Sequence, residues 1–134
     1  MDIDTLKIFV IKARKVLETH HREISPTFLG NFPSGACGNT NDLLSQWLKS
    51  NGFEDIKVVF GKRGRVSHGW LEWKGEIIDI TSDQFKDGLG AVYIGADRKF
   101  HDTFLDQKTS ELGMSSVLSD AYGIFCELME NETE

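Results

Sequence analysis

An α+β domain is the architecture this sequence predicts, and three observations carry it. Apolar residues recur at helical spacing near the start, again from Asn41 to Asn51, and again near the end. Between the second and third of these stripes lies a β-branched run followed by a hairpin pattern. Strands therefore come together in the chain, without the strand–helix alternation of a parallel sheet. The expected arrangement is an antiparallel sheet packed on the second helix, with the first and last helices completing one core. At 134 residues the chain is read as one domain over its whole length, 1–134.

Residues 3 to about 19 carry Ile3, Leu6, Phe9, Val10, Ala13, Val16 and Leu17, a stripe that packs on one face, with Asp2 or Asp4 suited to its start. His20-His21-Arg22 then leads into a loop from Ser25 to Gly35. Pro33 and Gly35 break that segment, and Ser34 is the expected N-cap of the next helix. Leu43, Leu44, Trp47 and Leu48 give this helix its apolar side, and Asn51-Gly52 stops it. Ile56 to Phe60 reads as a strand, Gly61 to Arg65 as a polar turn. Val66 to Trp73, the Lys74-Gly75 turn and Glu76 to Thr81 read as a hairpin. Ser82 to Gly90 is expected to be a loop, with short strands at Ala91 to Gly95 and Arg98 to Phe104. A last helix is expected from about Ser116 to Met129, with Val117, Leu118, Ala121, Phe125, Leu128 and Met129 inward. The acidic end, Glu127 to Glu134, reads as a terminus fraying into solvent.

Composition narrows the function classes. The net charge of -6 argues against nucleic acid as the main partner. No apolar run is long enough to cross a bilayer, so no membrane partner is expected. Charges interrupt the N-terminal stripe, which therefore reads as an amphipathic helix and not a signal peptide; a cytoplasmic location follows as the expectation. Two cysteines far apart in sequence make a disulfide framework improbable, and both thiols are expected to be reduced. The Gly35 to Gly38 segment lacks the lysine of a phosphate-binding loop.

Cys37 carries the chemical interest. It opens the second helix, where unpaired amides and the positive end of the helix dipole favour an anion, and Gly35, Ala36 and Gly38 leave room for a substrate backbone. A sulfur nucleophile needs a base, and the base needs a third group to orient it. A two-residue turn at Lys74-Gly75 pairs Trp73 with Glu76 and Leu71 with Ile78, which puts His68, Trp70, Asp79 and Thr81 on one face. Leu71, Ile78, Gly69 and Ile80 then share the core face. Asp79 becomes the diagonal cross-strand neighbour of His68, roughly 7–8 Å away between backbones and within reach of a hydrogen bond. A one-residue slip would separate the two.

Gly35-x-Cys37-Gly38 opening a Leu-rich helix, Ser67-His68-Gly69-Trp70-Leu71-Glu72, and Ile78-Asp79-Ile80-Thr81 resemble the core motifs of the transglutaminase-like branch of the papain-like fold. The resemblance covers about residues 31 to 85. It implies Cys37 as nucleophile, His68 as general base and acid, Asp79 as orienting carboxylate, and a papain-like core. Proteases, peptidases, glutamine deamidases, transglutaminases and acyltransferases all belong to this superfamily. What the resemblance implies is therefore thiol attack on a peptide or protein amide through a thioester, with no cofactor. This chain is too short for the extra domains of the larger enzymes and shows no calcium-loop pattern. The oxyanion-hole side chain is not marked. The Cys37 amide is one donor, and Asn31, Gln84 and Trp70 are candidates for oxyanion or substrate contact.

Other readings compete. A binding or regulatory module that keeps the fold without the chemistry would use a groove by Trp70 and the basic tip at Lys62, Arg63 and Arg65. Cys126, on the apolar side of the last helix, is expected to be a small buried hydrophobe. His20, His21 and His101 show no metal-ligand spacing and are expected at the surface, and no metal site is expected.

Overall fold

Asp2 accepts a hydrogen bond from the Thr5 amide at 2.8 Å and so caps the first helix, α1 (Ile3–Ile24), in a computed structural model that describes residues 2–110 and 118–132. The helix runs on past residue 19. His20-His21-Arg22 forms its last turn because Ile24 is buried and the His21 Nδ1 reaches the Leu29 carbonyl at 2.7 Å. Cationic side chains also suit that end of the dipole. His20 and His21 are half-buried at the surface, and His20 pairs with Glu23.

The second helix, α2 (Cys37–Ser50), begins at the cysteine. Its N-cap is Ala36, not Ser34, and no side chain caps it. Successive turns (Ser34 amide to Asn31 carbonyl, Ala36 amide to Pro33 carbonyl) and the positive φ of Gly35 place Ser34 one turn too early to cap. The Asn51 amide closes the C-terminus.

Five strands follow: β1 (Lys57–Arg63), β2 (Val66–Trp73), β3 (Glu76–Asp79), β4 (Tyr93–Gly95) and β5 (Leu105–Ser110). They form an antiparallel sheet in the order β4-β3-β2-β1-β5. The β2–β3 hairpin has the register expected from its turn, Trp73 opposite Glu76 and Leu71 opposite Ile78, with Lys74 and Gly75 both at positive φ. Gly61 to Arg63 belongs to β1, because only Gly64 and Arg65 are needed to turn into β2. Arg98 to Phe104 is not a strand. Its second half is a single 3-10 turn, His101–Thr103, and the strand begins at Leu105, pairing with β1 through a bulge. A second such turn, Ser82–Gln84, interrupts the loop after β3. The last helix, α3 (Ser119–Asn131), buries Ala121, Phe125 and Met129, with Leu118 buried just before it and Leu128 half-buried. The expected start at Ser116 and Val117 lies outside the described residues, as do the last two residues of the acidic end.

Both faces of the sheet are covered. The helices pack on one, around Leu6, Leu17, Leu43, Leu48, Phe53, Leu71 and Ile78. The other face, expected to carry His68, Trp70, Asp79 and Thr81 together, is closed by Val59, Trp70, Ile77, Phe100 and Phe104, with Phe85 and Tyr93 packed against them. The loops after β3 and β4 supply this cover, a role the sequence pattern of those loops does not announce. Arg14, 6 % exposed, ties the two sides together. It donates to the Asp83 carboxylate at 2.6 and 2.8 Å and to the Ile80 carbonyl at 2.7 Å, and its guanidinium lies over the Phe32 ring. The end of β3 and the loop before Cys37 are thereby held to the same helix.

Candidate active site

Two close packings bring α2 to the sheet. Gly69, beside His68 on β2, faces the core, where a Cβ would lie 2.6 Å from the Phe60 ring and 3.3 Å from the Asn41 Nδ2. Only glycine lets the first turns of α2 settle there. Asn41, one helical turn past Cys37, is 2 % exposed. Cys37 itself is half-buried and is a free thiol, as is Cys126.

His68 and Asp79 meet in the interior. The His68 Nε2 lies 2.7 Å from the Asp79 Oδ2, and the two side chains are 0 % and 1 % exposed. The opposite Asp79 oxygen, Oδ1, accepts from the Thr81 amide at 3.0 Å and the Thr81 hydroxyl at 3.4 Å. An ionised carboxylate only accepts, so His68 donates through Nε2 and presents Nδ1 elsewhere. That Nδ1 is buried and closes no hydrogen bond within the described residues. Cys37 is the group that bears on the ring from outside the Asp79 pair. No hydrogen bond closes between the Cys37 thiol and the ring.

The electrostatics follow from these neighbours. Burial disfavours the His68 cation, but the Asp79 hydrogen bond and charge, with the Cys37 thiol nearby, outweigh it and carry the imidazole from 6.5 up to about 9. Burial likewise works against an ionised Asp79. Hydrogen bonds from His101 and His68, the His68 charge and the Thr81 amide outweigh it and hold the carboxyl at about 2. At neutral pH the pair is an imidazolium on a carboxylate.

His101 is the residue that sequence reasoning missed. Expected at the surface, it is 0 % exposed, and its Nε2 lies 2.8 Å from the same Oδ2 that holds His68. It stands in the 3-10 turn just before β5, its ring against Trp70 at 4.7 Å and Tyr93 at 5.6 Å. Its position between Phe100 and Phe104, in a segment otherwise rich in charge, was the available signal. All four acceptor positions of Asp79 are thus used, two on each oxygen.

His68, Asp79 and His101 are also the one group among the described residues whose donor atoms, all within 4.8 Å of one another, are disposed as metal ligands. Both Nε2 atoms sit at hydrogen-bond distance from one oxygen, and a cation between them would have to displace both contacts. The two Nε2 atoms and the carboxylate are therefore satisfied as a hydrogen-bonded network, while the Nδ1 atoms of His68 and His101 are buried without a hydrogen bond among the described residues.

The remaining candidates divide. Trp70 does share the face of His68, 5.6 Å from its ring, but it is fully buried and its indole donates to Glu72 at 3.0 Å. It is a floor beneath the imidazoles, not an exposed wall. The Gln84 amide is spent on the Thr81 carbonyl at 2.9 Å. Asn31 lines an open cavity of about 500 Å³ that also includes Ser34 and Gly35, just upstream of Cys37. At the basic tip, Arg63 pairs with Asp87 at 2.7 Å and lies over Phe104, so it seals the aromatic face instead of extending into solvent; Lys62 and Arg65 are exposed. Cys126 is half-buried, and burial pushes its thiol up.

Comparison of the chain with protein-family models, with curated proteins and with solved structures finds no match. What fold and site define is an α+β domain with a helix-start thiol and a buried His–Asp–His network. Among the described residues no helix is long and apolar enough to cross a membrane.

Proposed function

We propose that this protein is a cysteine-dependent acyl-transfer enzyme of the transglutaminase-like, papain-like kind, acting on an amide through a thioester. Cys37 is the nucleophile, His68 the acid and base, and Asp79 the group that orients it. One observation carries the reading: a fully buried His68–Asp79 pair at 2.7 Å whose imidazole is also influenced by the sulfur at the start of α2. Burying a carboxylate is costly, and a perturbed, fully buried His–Asp pair is the arrangement that functional sites concentrate, which supports this reading.

In the first half-reaction the sulfur of Cys37 attacks the amide carbon. The tetrahedral oxyanion is met by backbone amides at the start of α2, and collapse breaks the C–N bond as His68 protonates the departing amine. In the second, neutral His68 takes a proton from water or an amine as it attacks the thioester, and the sulfur leaves. Asp79 stays ionised throughout and stabilises the imidazolium whenever it forms. A hydrolase, peptidase or deamidase differs from a transferase here only in the second nucleophile.

A binding module that retains the fold draws support from one fact, the complete burial of His68. Against it stands Cys37, a half-buried free cysteine at the start of α2; turnover also requires that the leaving amine and the attacking water reach the His68 ring.

The test is differential alkylation followed by turnover. Iodoacetamide should modify Cys37 at least tenfold faster than Cys126 at pH 7, and His68→Gln should remove most of that difference. Cys37→Ala should abolish release of new N-termini, ammonia release or amine incorporation in a substrate screen. Equal reactivity of the two thiols in the folded protein overturns the assignment.

A further inference from the structure

The cavity upstream of Cys37 has a chemical character of its own. It measures about 500 Å³, and Arg22, Thr27, Phe28, Asn31, Ser34 and Gly35 stand on its walls. Consecutive Cα atoms are about 3.8 Å apart, so the Gly35 wall lies within about 7.6 Å of the Cys37 backbone. The cavity therefore adjoins the start of α2 through Ser34 and Gly35, with Cys37 just beyond its walls.

The polar groups there are uncommitted. Within the described residues the side chains of Thr27, Asn31 and Ser34 form no hydrogen bond, and Arg22 forms neither a hydrogen bond nor an ion pair. Arg14, Arg63 and Arg98 are paired with carboxylates, and Arg65, exposed in the β1–β2 turn, is the other arginine that forms no ion pair among the described residues. The two acids nearest Arg22 along α1 are already engaged, Glu18 with Arg14 and Glu23 with His20. No acidic residue lines the cavity. In a chain of net charge -6, a concave site with one free guanidinium and no carboxylate stands out locally against the field of the whole molecule. Arginine's planar fork suits a carboxylate in particular.

We propose that this cavity is the acyl-donor subsite and that it selects substrates carrying a carboxylate near the scissile amide, bound by Arg22 with Asn31 and Ser34 as neutral donors. The proposal rests on Cys37 as the reacting sulfur and adds the substrate class.

The experiment uses two thiol-directed chloroacetamides of equal size, N-chloroacetyl-4-aminobutyrate and its neutral carboxamide, each of which loses chloride as the Cys37 thioether forms. In the full chain at low salt the anionic probe should label Cys37 at least fivefold faster than the neutral one. Cys126, measured in the same sample, should show no such preference. Arg22→Gln should bring the Cys37 ratio to about one, Arg22→Lys should keep part of it, and 1 M salt should reduce it, since screening then acts over about 3 Å. A ratio at Cys37 no greater than at Cys126, or one unchanged by Arg22→Gln, overturns the subsite. The neutral probe's Cys37-to-Cys126 ratio separately reads the nucleophile, so either idea can fail without the other.

Discussion

His101 changes how the carboxylate of Asp79 is to be understood. With both imidazoles on Oδ2 and Thr81 on Oδ1, the side chain cannot rotate without breaking a hydrogen bond at each end. The His101 bond is also the largest of the contacts that keep Asp79 ionised against its burial. Replacing His101 by Phe would keep a ring of similar shape and leave one buried acceptor position empty, at a cost of about 1–3 kcal/mol. The Asp79 carboxyl should then titrate higher by carbon NMR, and Cys37 alkylation at pH 7 should slow several-fold. Gln at the same position, which restores an N–H donor, should recover much of both. An unchanged Asp79 titration in folded His101→Phe would mean that the second imidazole only fills space.

At the scale of elements, the proposed chemistry requires a close approach of α2 to β2, and a residue with no side chain lies at that contact. A methyl group at position 69 would run into the Phe60 ring and the Asn41 amide. Gly69→Ala should therefore cost about 1–3 kcal/mol in urea unfolding, as overpacking does, and should lower Cys37 reactivity more than any comparable change on the far side of α2. A variant of wild-type stability and reactivity would show that the helix is not held at that point. The same scale explains what was legible beforehand. Hairpin register came from a two-residue turn, and it alone placed His68 and Asp79 on one face, because the period of a strand leaves no freedom once the turn is known. The α1 and α2 stripes were equally plain. What could not be read was the covering of the second sheet face, since Phe85, Phe100, His101 and Phe104 come from irregular loops where no periodicity exists to assign them inward. Reading Arg98 to Phe104 as a strand followed from the same gap, as did placing His101 in solvent. Ser34 failed as a cap for a geometric reason, the turn through Gly35, which composition alone does not encode.

For the molecule as a whole, the site couples folding to pH, and the sign differs for its two partners. Asp79 is held below its ordinary 3.8, at about 2, so its contribution to stability is present above 3.8 and disappears as pH falls through about 2. His68 is raised from 6.5 to about 9, so its contribution is complete below 6.5 and is lost as pH climbs through about 9. Both contributions are whole only between those limits, in the mildly acidic range. Tyr122, pushed up to about 12 by its burial, and Cys126, raised for the same reason, also favour the folded state less as pH rises. The alkaline decline is therefore shared, and a single curve does not isolate the imidazole. Urea midpoints measured from pH 4 to 10 should be highest between about 4 and 6.5 and should fall steadily toward 9 in the unaltered protein. In His68→Gln, which lacks this imidazole, the decline from 6.5 to 9 should become shallower while that above 9 persists. If stability instead rises from 6.5 to 9, or falls just as steeply in His68→Gln, then His68 is not the cation that the buried carboxylate holds.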